Sequence, residues 1–511
     1  MDQGQTFNLP DGYDHRQLID NLTDHFSIKP DRSVSECIRF YDTFDWRLFT
    51  ESLVLYRTGN KLFLRRLSSA NIIQSGDINT QPVFCWDFPK GELKELLSPI
   101  IDMRALLELT EVQTRSTTYR LLNEDEKTVV WLVVTEIRPS SAEGAPLLGS
   151  QVWLKPVRGY SKPFRDLTDR LRGWGLTKTK EDNLFFSAVE AAGKEPGDYS
   201  AKLNLQLDPE MCAEEAAKVI LSFLLEIIKI NEPYIKADVD TEFLHDFRVA
   251  VRRTRSVLSQ IRDVFPADTT ERFKQDFAYV GRLSNQLRDL DVYLLKEDEY
   301  RAMLPDVLRN DIEPLFDYLR TKRFGALQEV IDGLNSAQYA QILQDWEIFL
   351  REPPGDSPTA PKTGQPIIEL AQQRIFKRYR RIVKSGQRIL ENTEDELLHA
   401  LRIECKKLRY LLEFFASLFP PKKIAALIKQ LKQLQDNLGD FNDLCVQEEY
   451  LLNVAMEFPI TDHRSRKTIL AIGSLVDMLH QERQRVKGNF AQTFNAFASQ
   501  ANRKLFKELF A

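Results

Sequence analysis

A chain that repeats itself must build two similar parts, and this one repeats a pattern of cations. Residues 244–266 read LHDFRVAVRRTRSVLSQIRDVFP, and 154 positions later residues 398–420 read LHALRIECKKLRYLLEFFASLFP. Without a gap, seven of the 23 positions are identical: Leu244/Leu398, His245/His399, Arg248/Arg402, Arg255/Arg409, Leu258/Leu412, Phe265/Phe419 and Pro266/Pro420. Arg252 and Arg253 meet Lys406 and Lys407, so charge persists where identity does not. In the same register Asp289-Leu290-x-Val292 meets Asp443-Leu444-x-Val446.

Helical spacing gives the pattern a geometry. His245, Arg248, Arg252 and Arg255 fall on one stripe, while Phe247, Val251, Leu258, Ile261 and Phe265 fall on the opposite face. The second copy sets His399, Arg402, Lys406 and Arg409 against Leu401, Cys405, Leu408, Leu412, Phe415 and Phe419. Each stripe runs about 15 Å, at about 1.5 Å per residue. Like charges three and four residues apart destabilise a helix by a few tenths of a kcal/mol per pair. An extended polyanion is the economical relief. Arginine suits it, because its planar fork meets phosphate oxygens bidentately and stays charged. A histidine in the row donates to phosphate once protonated, and a nearby anion favours that form.

One basic helix face is ordinarily just solvated; two in register ask for a reason. Asp289 and Asp443, also in register, are expected to act as structural partners that orient the arginines. No metal is expected at His245 or His399, since neighbouring arginines repel a cation and no other ligand sits at the right spacing. A further basic run, RIFKRYRRIVKSGQR (374–388), carries Arg374, Lys377, Arg378, Arg380, Arg381, Lys384 and Arg388 without one acid. The corresponding first-half stretch, VILSFLLEIIK, is apolar, so the halves contribute unequally.

Bulk composition narrows the options. The 511 residues carry 70 Lys+Arg and 75 Asp+Glu, a formal net charge of −5, which argues against a general nucleic-acid coat or a polybasic membrane binder. Five scattered cysteines (Cys37, Cys85, Cys212, Cys405, Cys445) without a C-x-x-C pair read as reduced thiols. The opening MDQGQTFNLPDGYD has neither basic nor apolar leader character, and the longest apolar run, 219–230, contains Glu226 and Lys229. A cytoplasmic, soluble protein is expected.

Periodicity divides the chain. Residues 1–190 read as α+β: a short strand at 6–10, a helical stretch near 13–25, strands at 34–43 and 53–67 with a hairpin turn at Thr58-Gly59-Asn60, helix over 90–107, strands at 110–122, 127–139 and 151–159, and helix at 163–173. Several antiparallel strands with few helices predict a sheet curled into a barrel or tunnel. Residues 191–208 read as a linker, and 209–511 as all-α. The breaker-rich stretch 351–366 is expected to be an exposed loop between two bundles, 209–350 and 367–511, of four or five helices each. Thr393-x-x-Glu396 fits a capping box for the second repeated helix and Asp240 caps the first; Phe265-Pro266 and Phe419-Pro420 are expected to end them.

The motif H-x-x-R-[VI]-x-x-[RK]-[RK]-x-R, present twice with a downstream D-L-x-V, resembles the CHAD family of conserved-histidine α-helical domains. The resemblance covers about 209–511. It implies two four-helix bundles related by a pseudo-twofold, and inorganic polyphosphate binding without catalysis or cofactor. By motif the binding residues are His245, Arg248, Arg252, Arg253 and Arg255, with His399, Arg402, Lys406, Lys407 and Arg409; the basic run adds Arg374, Lys377, Arg378 and Arg381. Association with polyphosphate granules follows from that reading. Residues 40–67 resemble the CYTH family, the triphosphate tunnel fold, in a degenerate form. Where that family's first strand carries E-x-E-x-K, this chain has Gln3, Gln5 and Phe7, and a later strand reads QVWLK (151–155) rather than offering metal-holding glutamates. Arg57, Arg65, Arg115 and Arg120 remain as anion contacts. The alternatives are a metal-dependent tri- or polyphosphatase using the N-terminal domain and a nucleic-acid-binding adaptor. Against the latter, only Tyr379 and Tyr410 interleave the cations for base stacking.

Overall fold

The computed structural model describes residues 4–10, 15–68, 72–140, 147–179, 183–353, 360–460 and 462–511. It divides between Ser200 and Ala201 into two compact units. The division falls inside the stretch 191–208. On its N-terminal side Asp198 accepts from Trp46 Nε1 at 2.7 Å and Tyr199 packs on Phe44; on the other, Leu207 is buried in the helical unit.

The first unit contains, in order, β1 (Gln5–Asn8), α1 (His15–Thr23), β2 (Ser27–Thr43), α2 (Arg47–Thr50), β3 (Leu53–Thr58), β4 (Lys61–Arg66), β5 (Ile72–Asp77), α3 (Glu92–Ile101), β6 (Leu106–Leu122), β7 (Thr128–Pro139), β8 (Gly149–Pro156), α4 (Ser161–Gly173), β9 (Thr177–Thr179) and α5 (Asn183–Ala191). The strands form one antiparallel sheet in the order β5-β4-β3-β2-β6-β7-β8-β1-β9. The predicted hairpin joins β3 to β4, with Gly59 at φ 57. Strand β5, strand β9 and helix α5 were not anticipated. The helix expected over 90–107 is confined to Glu92–Ile101, because Asp102 adopts φ 51 and breaks it before β6 begins.

Alternation along the strands creates the core. Phe7, Val130, Leu132, Val152 and Leu154 bury against Leu18 and Leu22 of α1 and Phe164, Leu167 and Leu171 of α4. Asp42 is a buried carboxylate that accepts from the backbone N–H groups of Leu48 and Phe49 at 2.9 Å, and burial raises its pKa to about 6. Gln3 lies outside the described residues. The sequence-selected arginines do not share a face: Arg57 pairs with Leu62 and Arg65 with Val54, three residues from Arg57, so the pleat sends them to opposite sides. Arg115 and Arg120, five residues apart in regular register on β6, are likewise opposed.

The second unit is helical throughout its regular structure: α6 (Ala213–Lys236), α7 (Thr241–Gln260), α8 (Ala267–Leu283), α9 (Asn285–Leu295), α10 (Glu297–Met303), α11 (Glu313–Leu334) and α12 (Ala337–Arg351) form the first copy. The second comprises α13 (Ile367–Glu391), α14 (Asp395–Phe414), α15 (Pro421–Glu457), α16 (His463–Gly488), α17 (Phe490–Phe497) and α18 (Gln500–Phe510). Starts of α6 and α13, α7 and α14, and α8 and α15 are each separated by the repeat offset, and so are the ends of α10 and α15. The 37-residue α15 therefore corresponds to α8, α9 and α10 together, interrupted at Ser284 and Lys296. That interruption, with short terminal helices, gives more helical segments than the four or five expected.

Several boundaries differ from expectation. Asp240 caps α7, accepting from Glu242 and Phe243 N–H, but Thr393 does not cap α14: its hydroxyl donates back to Ile389 O at 2.9 Å, closing the last turn of α13. Both repeated helices end before the Phe-Pro pair, because proline constrains only its immediate predecessor. In the first copy Asp263, at φ 67, turns the chain earlier. The connection is exposed at Arg351, Glu352, Pro353, Pro361 and Gly364, as expected, but it is anchored at Thr363, which is buried and donates to Val264 O at 3.0 Å. Residues 354–359 lie outside the described residues. No helix among the described residues is long and apolar enough to cross a membrane.

Candidate functional site

The two repeated helices meet each other around a local pseudo-twofold. Ala213 N–H donates to Gln365 O at 2.9 Å and Ile367 N–H to Met211 O at 3.0 Å, an exchange between positions related by the repeat offset. Further along, Arg253 of α7 pairs with Glu413 of α14 at 3.0 Å, while Gln260 Nε2 of α7 donates to Lys407 O of α14 at 3.2 Å. Swapping the copies converts one contact into the other to within one residue. Such an axis brings equivalent residues opposite one another. Arg252 and Lys406, which are equivalent, lie within electrostatic reach of each other.

Lys406 is the most perturbed cation of this face. Burial, reinforced by Arg402 and Arg252, lowers its pKa to about 8, and Asp443 opposes the shift. Among the described residues Arg252, Arg255 and Lys406 make no ion pair. Arg248 is half-buried, with its pKa lowered first by burial and then by Arg252 and Arg288. It donates to Ser284 Oγ at 2.8 Å and Asn285 Oδ1 at 2.9 Å, at the break between α8 and α9. Asp289 stands within its electrostatic field but forms no ion pair, and burial raises its pKa. In the second copy α15 runs unbroken, and Arg402 instead donates to Asp443 at 3.1 Å.

The histidines are held by residues that the sequence reading passed over. His245 Nδ1 lies 2.9 Å from Arg288 Nη2. A guanidinium only donates, so Nδ1 accepts and Nε2 carries the neutral ring's proton. His399 Nδ1 lies 2.5 Å from Asn442 Oδ1, an acceptor, so here Nδ1 carries the proton. Arg288 and Asn442 occupy equivalent positions, one before Asp289 and Asp443. The signal was present in the register but hidden because the residue type changes.

Two glutamates were also missed. Glu413 accepts from both Arg253 and Arg409, and Glu404 pairs with Arg378, with Arg381 at 3.4 Å and with Lys407 at 3.2 Å. Arg374 reaches Arg262 O at 2.9 Å and Asp263 at 3.5 Å. Together Arg374, Lys377, Arg378, Arg381 and Lys407 line a cavity of about 310 Å³, and Glu404 lines it with them. The arrangement thus collects the sequence-selected cations of α7, α14 and α13 but neutralises part of them internally. Among the described residues no three His, Cys, Asp or Glu side chains are placed to hold a metal ion.

Two uncharacterized proteins of Mycobacterium tuberculosis, from two strains, are 23% identical over 295 residues, covering 55% of this chain and 55% of each relative. The chain spans about half the length of these curated relatives. The crystal structure of the CHAD domain from the plant Ricinus communis superposes with a TM-score of 0.50 and 25% identity, covering 58% of this chain and 96% of that one. The CHAD domain family model matches residues 219–452, from within α6 to within α15, and so includes both repeated helices. With its duplicated H-x-x-R helices facing across a pseudo-twofold, the helical unit of this chain is a CHAD domain.

Proposed function

We propose that the helical unit binds inorganic polyphosphate, without catalysing its turnover, along the face where α7 and α14 meet. The CHAD family is associated with polyphosphate. The observation that carries the reading is that equivalent cations from both copies, Arg252 and Lys406, converge with no carboxylate bonded to either. Holding two like charges together is unfavourable, and a bound polyanion reverses the sign of that cost. Arg248, Arg402, His245 and His399 flank the pair. Arg253, Arg255, Lys407 and Arg409 extend it along the helices, and Arg374, Lys377, Arg378 and Arg381 extend it onto α13. The N-terminal sheet unit is, in this reading, a degenerate triphosphate-tunnel domain, and the protein accompanies polyphosphate deposits in the cytoplasm.

The test is titration of long-chain polyphosphate against the full chain and a variant with Arg248, Arg252, Arg402 and Lys406 all changed to Glu. A loss of about hundredfold or more is expected, since each charge-assisted contact contributes about 1.5–3 kcal/mol when desolvated. The remaining affinity should fall steeply with salt. Unchanged affinity in the quadruple variant overturns the site. Polyphosphate should also displace a bound oligonucleotide; the reverse preference would make this a nucleic-acid binder.

A further inference from the structure

A second basic surface lies between α13 and α18. An open cavity of about 1260 Å³ there takes Lys377, Arg380, Arg381 and Lys384 from α13 and Arg503, Lys504 and Lys507 from α18 into its walls, with no acid in its lining. Arg380, Lys384, Arg503 and Lys507 are exposed and make no ion pair among the described residues. The lining also includes the apolar side chains of Phe376, Val383 and Phe510 and the ring of Tyr379.

Two further observations point to a ligand. Tyr379, 4% exposed and stacked on Phe506 at 3.8 Å, has a buried hydroxyl with no hydrogen-bond partner, close enough to Arg503 to feel its charge. A buried polar atom left unsatisfied in a native fold calls for a reason, and an anion on Arg503 would supply an acceptor. The duplication does not account for the surface either: at the positions of Lys377, Arg380, Arg381 and Lys384 the first copy has Phe223, Glu226, Ile227 and Ile230.

We propose that this groove is a second anion site, which shares Lys377 and Arg381 with the α13 edge of the first but is built mainly on Arg380, Lys384, Arg503, Lys504 and Lys507, and that its ligand is a short phosphorylated organic molecule. Phosphates sit between the two cation rows, and the apolar body rests on Phe376 and Val383. The α13 row from Lys377 to Lys384 is about 10 Å long, which suits a short phosphate group rather than a long polymer. An inorganic chain gains nothing from apolar lining, and a single-stranded nucleic acid needs successive open rings for stacking, whereas Phe510 is 3% and Tyr379 4% exposed and Phe376 is the one partly open ring of the lining. The inference stands whether or not the repeated helices bind polyphosphate.

ATP serves as the probe, titrated calorimetrically against the full chain in which Arg248, Arg252, Arg402 and Lys406 are changed to Glu. Binding should persist there, since none of those four residues lines the groove. Adding Arg380→Glu, Lys384→Glu and Arg503→Glu should weaken ATP by about tenfold or more, with thermal unfolding little changed, because all three side chains are exposed and the structural bond lost is that from Arg503 Nε to Ala498 O. Phe376→Ala should weaken ATP and leave tripolyphosphate binding as it was. Absence of ATP binding, or indifference to the triple change, overturns the site. Tripolyphosphate binding as tightly as ATP, or an oligonucleotide displacing ATP, overturns the ligand class.

Discussion

The two copies of the helical unit share a register to the residue through their first two helices, yet they hold the same arginine in different ways. In the first copy the chain breaks at Ser284, and Arg248 bonds to neutral groups at the break. In the second, α15 is continuous and Arg402 is committed to Asp443, a carboxylate that is itself 60% exposed. The same position is therefore a half-buried, unneutralised cation in one copy and one arm of an ion pair in the other. Duplication preserved where the charges stand; divergence altered how far each is available to a ligand.

The most direct way to break this comparison is at the axis. Changing Arg252 and Lys406 together to Glu should lower polyphosphate affinity by about hundredfold, while either single change should cost distinctly less, because the remaining cation no longer repels its partner. Equal and additive single effects, measured by titration, would mean that the copies do not act on one ligand. A packing difference comes next in size. Gly386 of α13 lies against the ring of Phe494, so the Cβ of a Gly386→Ala variant would collide with it, whereas the first copy carries Glu232 there, accepting from Lys236 and Tyr339. The variant should be destabilised by about 1–3 kcal/mol, read as a lowered Tm, and an unchanged Tm would show that α17 can yield.

Arg248→Ala should then weaken polyphosphate binding more than Arg402→Ala, by about 1 kcal/mol, since only Arg402 is already neutralised; Asp443→Asn should raise affinity. The reverse ranking would remove the distinction between the copies. The pH dependence is smaller still. Lys406 has a folded pKa lowered to about 8, so its charge is present below that value and is lost above it. Affinity should decline as pH rises from 7 to 9, with proton uptake on binding near pH 8, and Lys406→Arg should flatten the profile. By the same linkage, the cost of keeping Lys406 charged in the fold disappears as pH rises from about 8 toward the ordinary lysine value. The finest test is the nitrogen NMR spectrum of the two imidazoles. His245 should appear as the Nε2–H tautomer and His399 as the Nδ1–H tautomer, and two identical spectra would erase the Arg288/Asn442 contrast.

The repeat made much of this legible beforehand. Apolar spacing placed α7 and α14, and Asp240 was correctly assigned as a cap because its side chain had only one helix start to serve. Thr393 failed in that role because the preceding helix competed for its hydroxyl, a choice that local sequence does not encode. The interruptions at Ser284 and Lys296 were equally hidden, since neither position carries proline or glycine. In the site, identity marked the arginines and histidines. What tunes them is Arg288 against Asn442 and Glu404 and Glu413 from α14, and these became visible only when the chain's return brought them together. In the first unit the strands were readable from alternation. Whether four arginines faced one way depended on cross-strand register, which single strands do not reveal.

The pairing of Arg252 with its own counterpart has a consequence for direction. Leaving the α13 cations aside, the rows of α7 and α14 present nearly the same sequence of charges to a ligand threaded from either end. Nucleic acids and peptides have a head and a tail, and could satisfy only half of such a site at a time. An unbranched phosphate chain is identical read forwards or backwards. It could enter in both senses along the two repeated helices.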